Sequence, residues 1–292
     1  MSQPPQKSAL ITGCSAGGAG ASIALAFQKR NYLVFATTRN VSKIPDSLTS
    51  LPNVVTVPLD VTSDESVESA AETVRKTLSE KYKHLKGLDV LVNNAGVGWW
   101  APILDVPMDD AKAIFETNFF GPIRVLQAFS RDLVNARGTV VNVSSIGGEY
   151  GAWGPFQSIY EASKAALSQA SEAWRLELEP LGVRVITLLM GVVNTQFFSD
   201  YDGQVQLQEG SYYQPIKSIL DKMMNPTPRR ISWEVDAFGE HVARKVVGGS
   251  SGRVFLGGLT TAVRIAGTIL PEWAIVSLLT HLIPRSNDLS LG

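Results

Sequence analysis

Cysteine is almost missing from this chain: Cys14 stands alone among 292 residues, which excludes an internal disulfide. A reducing, intracellular and cytoplasmic setting is therefore expected. Histidine is scarce as well. His84, His241 and His281 have no second ligand at metal-binding spacing, so no metal is expected. The formal net charge is −1, leaving no basic excess to meet a nucleic-acid backbone. Neither a repeat nor a Pro/Gly/Ser-rich linker divides the sequence, and residues 1–292 read as a single domain. The opening MSQPPQKS lacks the apolar run of a secretion signal. Residues 254–284 are rich in Leu, Ile, Val and Ala, but Arg264, Pro271 and Glu272 break them well short of the ~20 apolar residues of a membrane span. Short apolar helices flanking Pro271 leave three uses open: a cap over a pocket, an oligomer interface, or peripheral contact with a membrane such as that of the endoplasmic reticulum or a lipid droplet.

What the chain does contain is an alternation of apolar strands with helical patterns. Strands are expected near 8–12, 32–37, 54–58, 88–92, 139–143, 183–189 and 253–256. This is the pattern of an α/β fold with a doubly wound, seven-stranded parallel sheet and helices on both faces. The first strand runs straight into a glycine cluster, ALITGCSAGGAG, with Gly13, Gly17, Gly18 and Gly20, and then into a helical pattern over Ala21–Arg30. Glycines permit backbone conformations and close approaches that a Cβ would block, and the helix start offers unpaired N–H groups to a pyrophosphate. A plain glycine-rich turn is the bland alternative. Cys14, in that loop without a companion His or Cys, reads as a packed small residue.

At the end of the second strand no Asp or Glu is present to accept hydrogen bonds from a ribose 2′-hydroxyl. Thr37, Thr38 and Arg39 stand there instead. Arg39 as a guanidinium fork, with Ser15 and Thr38 as hydroxyl donors, suits a 2′-phosphate, so NADP(H) is the expected cofactor. A solvated surface arginine is the competing reading. Two further buried strands end in small polar residues, Asn93-Asn94-Ala95-Gly96 and the NVSS closing at Ser145. Both endings should face one crevice, because ligands of open parallel sheets sit beyond the carboxyl ends of the strands. Tyr160 and Lys164, four apart on a helix, share one face, and the cation is expected to bring the phenol's pKa down toward a working range.

Taken together, TGCSAGGAG, the LDVT of Leu59–Thr62, NNAG at 93–96, Asn118, NVSS and YEASK at 160–164 resemble the short-chain dehydrogenase/reductase family over residues 8–200. Within it, the longer glycine loop and the Thr-Thr-Arg strand end look most like the fungal NADPH-dependent 1-acyldihydroxyacetone-phosphate reductase branch. The resemblance implies a Rossmann fold and an oxidoreductase acting on CH–OH and C=O groups. Asn118, Ser145, Tyr160 and Lys164 would be catalytic: Tyr160 the proton donor, Ser145 the carbonyl anchor, Lys164 the cation beside the phenol and the nicotinamide ribose. Ser144 competes with Ser145 for its place. Cofactor contacts are implied for Gly13, Ser15, Gly17, Gly18, Ala19, Gly20, Thr38, Arg39, Asp60, Val61, Asn94, Ala95, Gly96, Tyr160, Lys164, Val193 and Thr195. Homodimers or homotetramers are usual in the family.

Two departures matter. The stretch from Ser145 to Tyr160 is about two residues longer than usual, and Met190-Gly191 stands where Pro-Gly is usual, which should make that turn less rigid. Pro122, four residues after Asn118, has no N–H, so in a continuous helix the Asn118 carbonyl is freed to hold a water for a proton relay. Trp99, Trp100, Trp153, Phe156, Phe197 and Phe198 lie next to the converging motifs and suggest an apolar, aromatic pocket for a hydrophobic carbonyl substrate. Residues 195–235 form the variable substrate loop, where Arg229 and Arg230 would suit a phosphate or a solvated helix end equally. A lipid ketone such as 1-acyldihydroxyacetone phosphate and an aromatic or polyketide ketone of specialised metabolism remain competitors, as does a non-catalytic NADP-binding scaffold or sensor.

Overall fold

The computed structural model describes residues 5–149, 154–198, 205, 207–224 and 231–280. Runs of apolar residues make the strands: β1 (Lys7–Ile11), β2 (Tyr32–Thr38), β3 (Val54–Pro58), β4 (Val90–Asn93), β5 (Thr139–Ser145) and β6 (Arg184–Met190). Two short strands, β7 (Val193–Asn194) and β8 (Trp233–Glu234), pair with each other beside the sheet, and β9 (Gly252–Leu256) completes it. Every pairing in the main sheet is parallel, in the order β3-β2-β1-β4-β5-β6-β9. All seven long strands fall where the apolar pattern put them. The β7–β8 pair is an addition, because two-residue strands leave no periodicity to read.

A strand covered on both faces must be apolar throughout, and β2 is buried at every position. Side chains alternate between two cores. From β1, Ala9 and Ile11 enter a core closed by helices α1 (Ala19–Gln28) and, across the sheet's other half, by Phe238, Val242 and Val246. Leu10 points the other way, into a core with Val74, Leu78, Val125, Phe129 and Leu133. The remaining helices follow the chain: α2 (Asp46–Thr49), α3 (Asp64–Lys81), α4 (Met108–Phe115), α5 (Gly121–Ala128), α6 (Ser130–Ala136), α7 (Ser158–Leu178), α8 (Lys217–Met224), α9 (Val235–Val247), α10 (Thr260–Ile269) and α11 (Glu272–Thr280).

The chain moves outward from β1 through β2 to β3, then returns to place β4 on the other side of β1. That reversal opens a crevice at the carboxyl ends of β1 and β4. Thr12, just past β1, ties the two ends together: its hydroxyl accepts from the N–H groups of Asn94 and Ala95, each at 2.9 Å. In the carboxyl region, Ile275 is buried while Ile269 and Trp273 are 71% and 74% exposed. Among the described residues, no helix is long and apolar enough to cross a membrane.

Candidate active site

The glycine loop joins β1 to α1. Gly13 and Gly17 have φ of +74° and +70°, a region other residues enter only with strain, so the tight turn depends on them. Gly20 serves a different end. A Cβ there would lie 2.4 Å from the Gly13 carbonyl oxygen and 2.5 Å from Asn94 Nδ2, so only glycine lets α1 start this close to the loop. No side chain caps the first turn of α1, whose N-cap is Gly18, and no acidic residue stands in it. Bare N–H groups at a helix start without a competing carboxylate fit a pyrophosphate. Ser15 Oγ lies 3.5 Å from Thr38 Oγ1, and Ala19 opens the helix behind them. Cys14 is fully buried, its thiol pushed up to about 12 by that burial, which fits a packing role.

Arg39 is exposed at the end of β2, with Thr38 buried beside it. The loop also brings a cation that sequence reasoning missed. Ala16 N–H donates to the Lys43 carbonyl at 2.8 Å, which places the exposed Lys43 at the same rim. Asp60 and Val61 sit at the end of β3 differently from a free binding surface. Asp60 Oδ1 accepts from the Thr62 N–H at 2.9 Å and its hydroxyl at 2.7 Å, and Val61 is buried against Gly121.

On the β4 side, Asn94 Nδ2 donates to the carbonyls of Thr12 (2.8 Å) and Gly13 (3.2 Å). The NNAG segment and the glycine loop are thereby one hydrogen-bonded unit. Asn118 braces the next stretch: its Oδ1 accepts from the Val97 N–H at 2.9 Å, and its Nδ2 donates to the Val97 carbonyl at 2.9 Å and to Ser163 Oγ at 3.0 Å. Its side chain is thus fully engaged. The helix does run through this point, but not as a plain α-helix. Glu116–Phe120 form a π turn between α4 and α5, with the Gly121 N–H donating to the Glu116 carbonyl. Pro122 follows and brings no N–H. Pro122→Ala is expected to lower kcat about fivefold, the value of one hydrogen bond, with little change in KM. An unchanged kcat would remove the relay.

Alternation along β5 separates the two serines. Ser144 Oγ turns into the core, donating to the Lys164 carbonyl at 2.8 Å and lying 2.8 Å from Ser168 Oγ. Ser145 accepts from the Gly147 N–H at 3.1 Å and lies by the Tyr160 phenol, where it opposes the rise of the phenol's pKa. Of the two serines, Ser145 is the one left partly exposed. Lys164 is buried, and its Nζ donates to the Val143 carbonyl at 2.9 Å. Asn118 and Lys164 flank Gly96, where a Cβ would meet Asn118 Oδ1 at 3.1 Å and Lys164 Nζ at 3.3 Å.

The electrostatics correct one expectation. Lys164 was expected to pull the phenol's pKa down, yet desolvation pushes Tyr160 up to about 12, with the Ser145 hydrogen bond opposing and the Glu161 charge adding to the rise. Lys164 itself is pushed down to about 8 by burial. Desolvation wins because Lys164 is buried with its ammonium aimed at a backbone carbonyl, and the phenol of the half-buried Tyr160 sits low in the crevice.

Around Tyr160 the aromatic residues divide. Phe197 packs on it, ring centroids 6.1 Å apart. Trp100 and Phe156 instead join Val205, Leu207, Tyr213, Ile216 and Leu220 in a small separate core. Trp99 is half-buried next to them. Trp153, the Phe198 side chain, Arg229 and Arg230 lie outside the described residues. Gln196 is a residue the sequence did not point to: its N–H donates to the Gly17 carbonyl at 3.3 Å, and its side chain lies where a Gly17 Cβ would go. Val193 and Thr195 precede it, on β7 and just after. The turn at Met190-Gly191 is also firmer than its missing proline suggested. Gly191 N–H donates to the Leu256 carbonyl, and Val192 and Gly258 exchange two hydrogen bonds of 2.9 Å each.

Among the described residues there is no cluster of His, Cys, Asp and Glu able to hold a metal. The pattern described as short chain dehydrogenase matches residues 7–205. Short-chain dehydrogenase cctT of Talaromyces islandicus is 36% identical over 285 residues, covering 97% of this chain and 96% of that one. An NADPH-dependent 1-acyldihydroxyacetone phosphate reductase of Schizosaccharomyces pombe is 35% identical over 83% of this chain and 79% of its own. A solved short chain dehydrogenase from Burkholderia cenocepacia, in complex with NADP, superposes with a TM-score of 0.72 at 25% identity, covering 97% of this chain and all of that one. A seven-stranded parallel sheet of this order, a glycine loop at its switch point and matches along nearly the whole length place this chain in the short-chain dehydrogenase family, oxidoreductases that bind a nicotinamide cofactor.

Proposed function

We propose that the protein is an NADPH-dependent reductase of a hydrophobic ketone or aldehyde. The observation that carries this reading is the grouping of four side chains, with Ser145 beside the Tyr160 phenol and with Lys164 and Asn118 flanking Gly96. A bound NADPH supplies hydride to the carbonyl carbon. Tyr160 gives its proton to the carbonyl oxygen as negative charge grows there, and Ser145 donates a hydrogen bond to the same oxygen. Once the phenol has lost its proton, Lys164 is the near cation that favours the phenolate. Asn118 holds Val97 in place through its side chain and offers its carbonyl to a water that returns the proton.

Preference for NADPH rests on Arg39, with Lys43 at the same rim, and on the absence of a carboxylate at the end of β2. The relative from S. pombe and the NADP complex from B. cenocepacia agree with it. Arg39→Glu is expected to raise the KM for NADPH about thirtyfold, since a charge-assisted hydrogen bond is worth ~1.5–3 kcal/mol, and to leave the KM for NADH nearly unchanged. Equal effects on both cofactors would refute the assignment.

For the substrate, the S. pombe relative supports an acyl ketone phosphate. Phe197 packed on Tyr160 supports an aromatic ketone equally well. Loss of NADPH absorbance, followed against acyldihydroxyacetone phosphate, long-chain ketones, steroids and aromatic polyketide ketones, separates the two. Bound NADPH without turnover on any of them would favour a binding role instead.

A further inference from the structure

Between Ser145 and Tyr160 the chain leaves β5 and enters α7, and both described ends of that connection bear on one side chain, Glu161. The Gly154 N–H donates to Glu161 Oε1 at 2.7 Å. A Cβ on Gly147 would lie 3.1 Å from the same oxygen and 3.2 Å from Cγ, and one on Gly154 would lie 3.0 Å from Oε1. Two glycines thus allow two backbone segments to close on the carboxyl together. From Gly147 the contact reaches the reacting groups, because its N–H donates to Ser145 Oγ, whose hydroxyl in turn lowers the pKa of the Tyr160 phenol beside it. Beyond Gly154, Phe156 stands at φ +69°, a conformation that its surroundings must impose.

We propose that Glu161 is a positioning residue whose carboxyl pins the Gly154 end of this connection to α7 and packs against its Gly147 end, and so sets the Ser145 hydroxyl against Tyr160. The proposal rests on the roles given above to Ser145 and Tyr160. Other charged groups nearby are engaged elsewhere: Glu149 of the same connection pairs with Arg253 at 2.8 Å, and Lys164 donates to the Val143 carbonyl. The Tyr160 phenol is the titratable neighbour that feels Glu161, whose charge raises its pKa. Burial pushes the Glu161 carboxyl up to about 7, against the Gly154 hydrogen bond. A carboxyl whose pKa is raised by being covered favours the covered arrangement while protonated. It loses that preference as pH rises through about 7.

The test needs no substrate. Hydrogen exchange of Gly154–Gln157, referred to intrinsic rates, is measured from about pH 6 to about pH 9 in the unaltered protein, Glu161→Gln and Glu161→Ala. The unaltered protein should lose about tenfold of its protection across that window. Glu161→Gln, neutral but still an acceptor, should hold its protection flat, and Glu161→Ala should be unprotected throughout. Should the alanine variant fail to fold, the contrast between the sloping parent and the flat glutamine variant decides. Equal, parallel profiles overturn the proposal. In a second arm, with NADPH and 9,10-phenanthrenequinone as probe, Glu161→Ala should raise the quinone KM about tenfold and Glu161→Gln much less. Turnover surviving in Tyr160→Phe would sink the general-acid reading alone, since the exchange result stands apart from it.

Discussion

Tyr160→Phe should lower kcat for carbonyl reduction by about a thousandfold while leaving NADPH binding intact. The substitution removes one oxygen and keeps the ring, so the packing on Phe197 survives and the proton source does not. A positioned general acid contributes ~10²–10⁴ in rate, which sets the size of the loss. The parent's pH profile should carry the same logic. The phenol, pushed up to about 12, keeps its proton throughout the working range, whereas Lys164, pushed down to about 8, does not keep its charge. For a lysine with a depressed pKa the ammonium is present below that value and lost above it. At saturating substrate, where a change in KM does not show, reduction should therefore decline as pH rises past about 8. Single-turnover rates with saturating NADPH would measure both effects. A phenylalanine variant within a few-fold of the parent would show that another group delivers the proton.

The second large effect expected is from one added methyl group, in Gly20→Ala. Its Cβ would meet the Gly13 carbonyl oxygen at 2.4 Å and Asn94 Nδ2 at 2.5 Å, and neither is the free end of a flexible side chain. Asn94 is held there by the carbonyls of Thr12 and Gly13. Either α1 must retreat or the β4 end must let go. Overpacking of this kind costs ~1–3 kcal/mol, and a domain of this size loses ~2–4 °C of Tm per kcal/mol. Because the retreat also moves the helix start from the pyrophosphate cradle, NADPH binding should weaken at least about tenfold as well. Thermal melts with and without NADPH read both terms: the ligand's stabilising shift should shrink along with the baseline Tm. An unchanged melt would mean that the loop absorbs the methyl group.

The sheet was legible from the sequence because parallel strands buried on both faces leave long apolar runs, as in Tyr32–Thr38. The candidate site residues stood out for a related reason, since they cluster in short motifs at the carboxyl ends of those strands. Three things were not legible. Thr12, Lys43 and Gln196 act through contacts distant in sequence, 82 residues apart in the bond between Thr12 and the Asn94 N–H, and no local pattern records such a pairing. The direction of the Tyr160 shift depends on how far burial outweighs a nearby charge, and spacing on a helix says nothing about burial. Trp100 and Phe156 showed their aromatic character but not their neighbours. Only the fold reveals that they pack against Val205, Ile216 and Leu220.

Synthesis of the chain gives the Val192–Gly258 bridge a further meaning. Asn118, Ser145, Tyr160 and Lys164 have all been made well before Gly258 emerges, yet until β9 just ahead of it is made β6 has no neighbour on its outer side, and the turn after β6 lacks this bridge. A nascent chain at that stage displays an unpaired strand edge, the feature other chains most readily add to. Products that stop short of β9 should therefore need chaperones or aggregate, rather than appear as weakened enzymes.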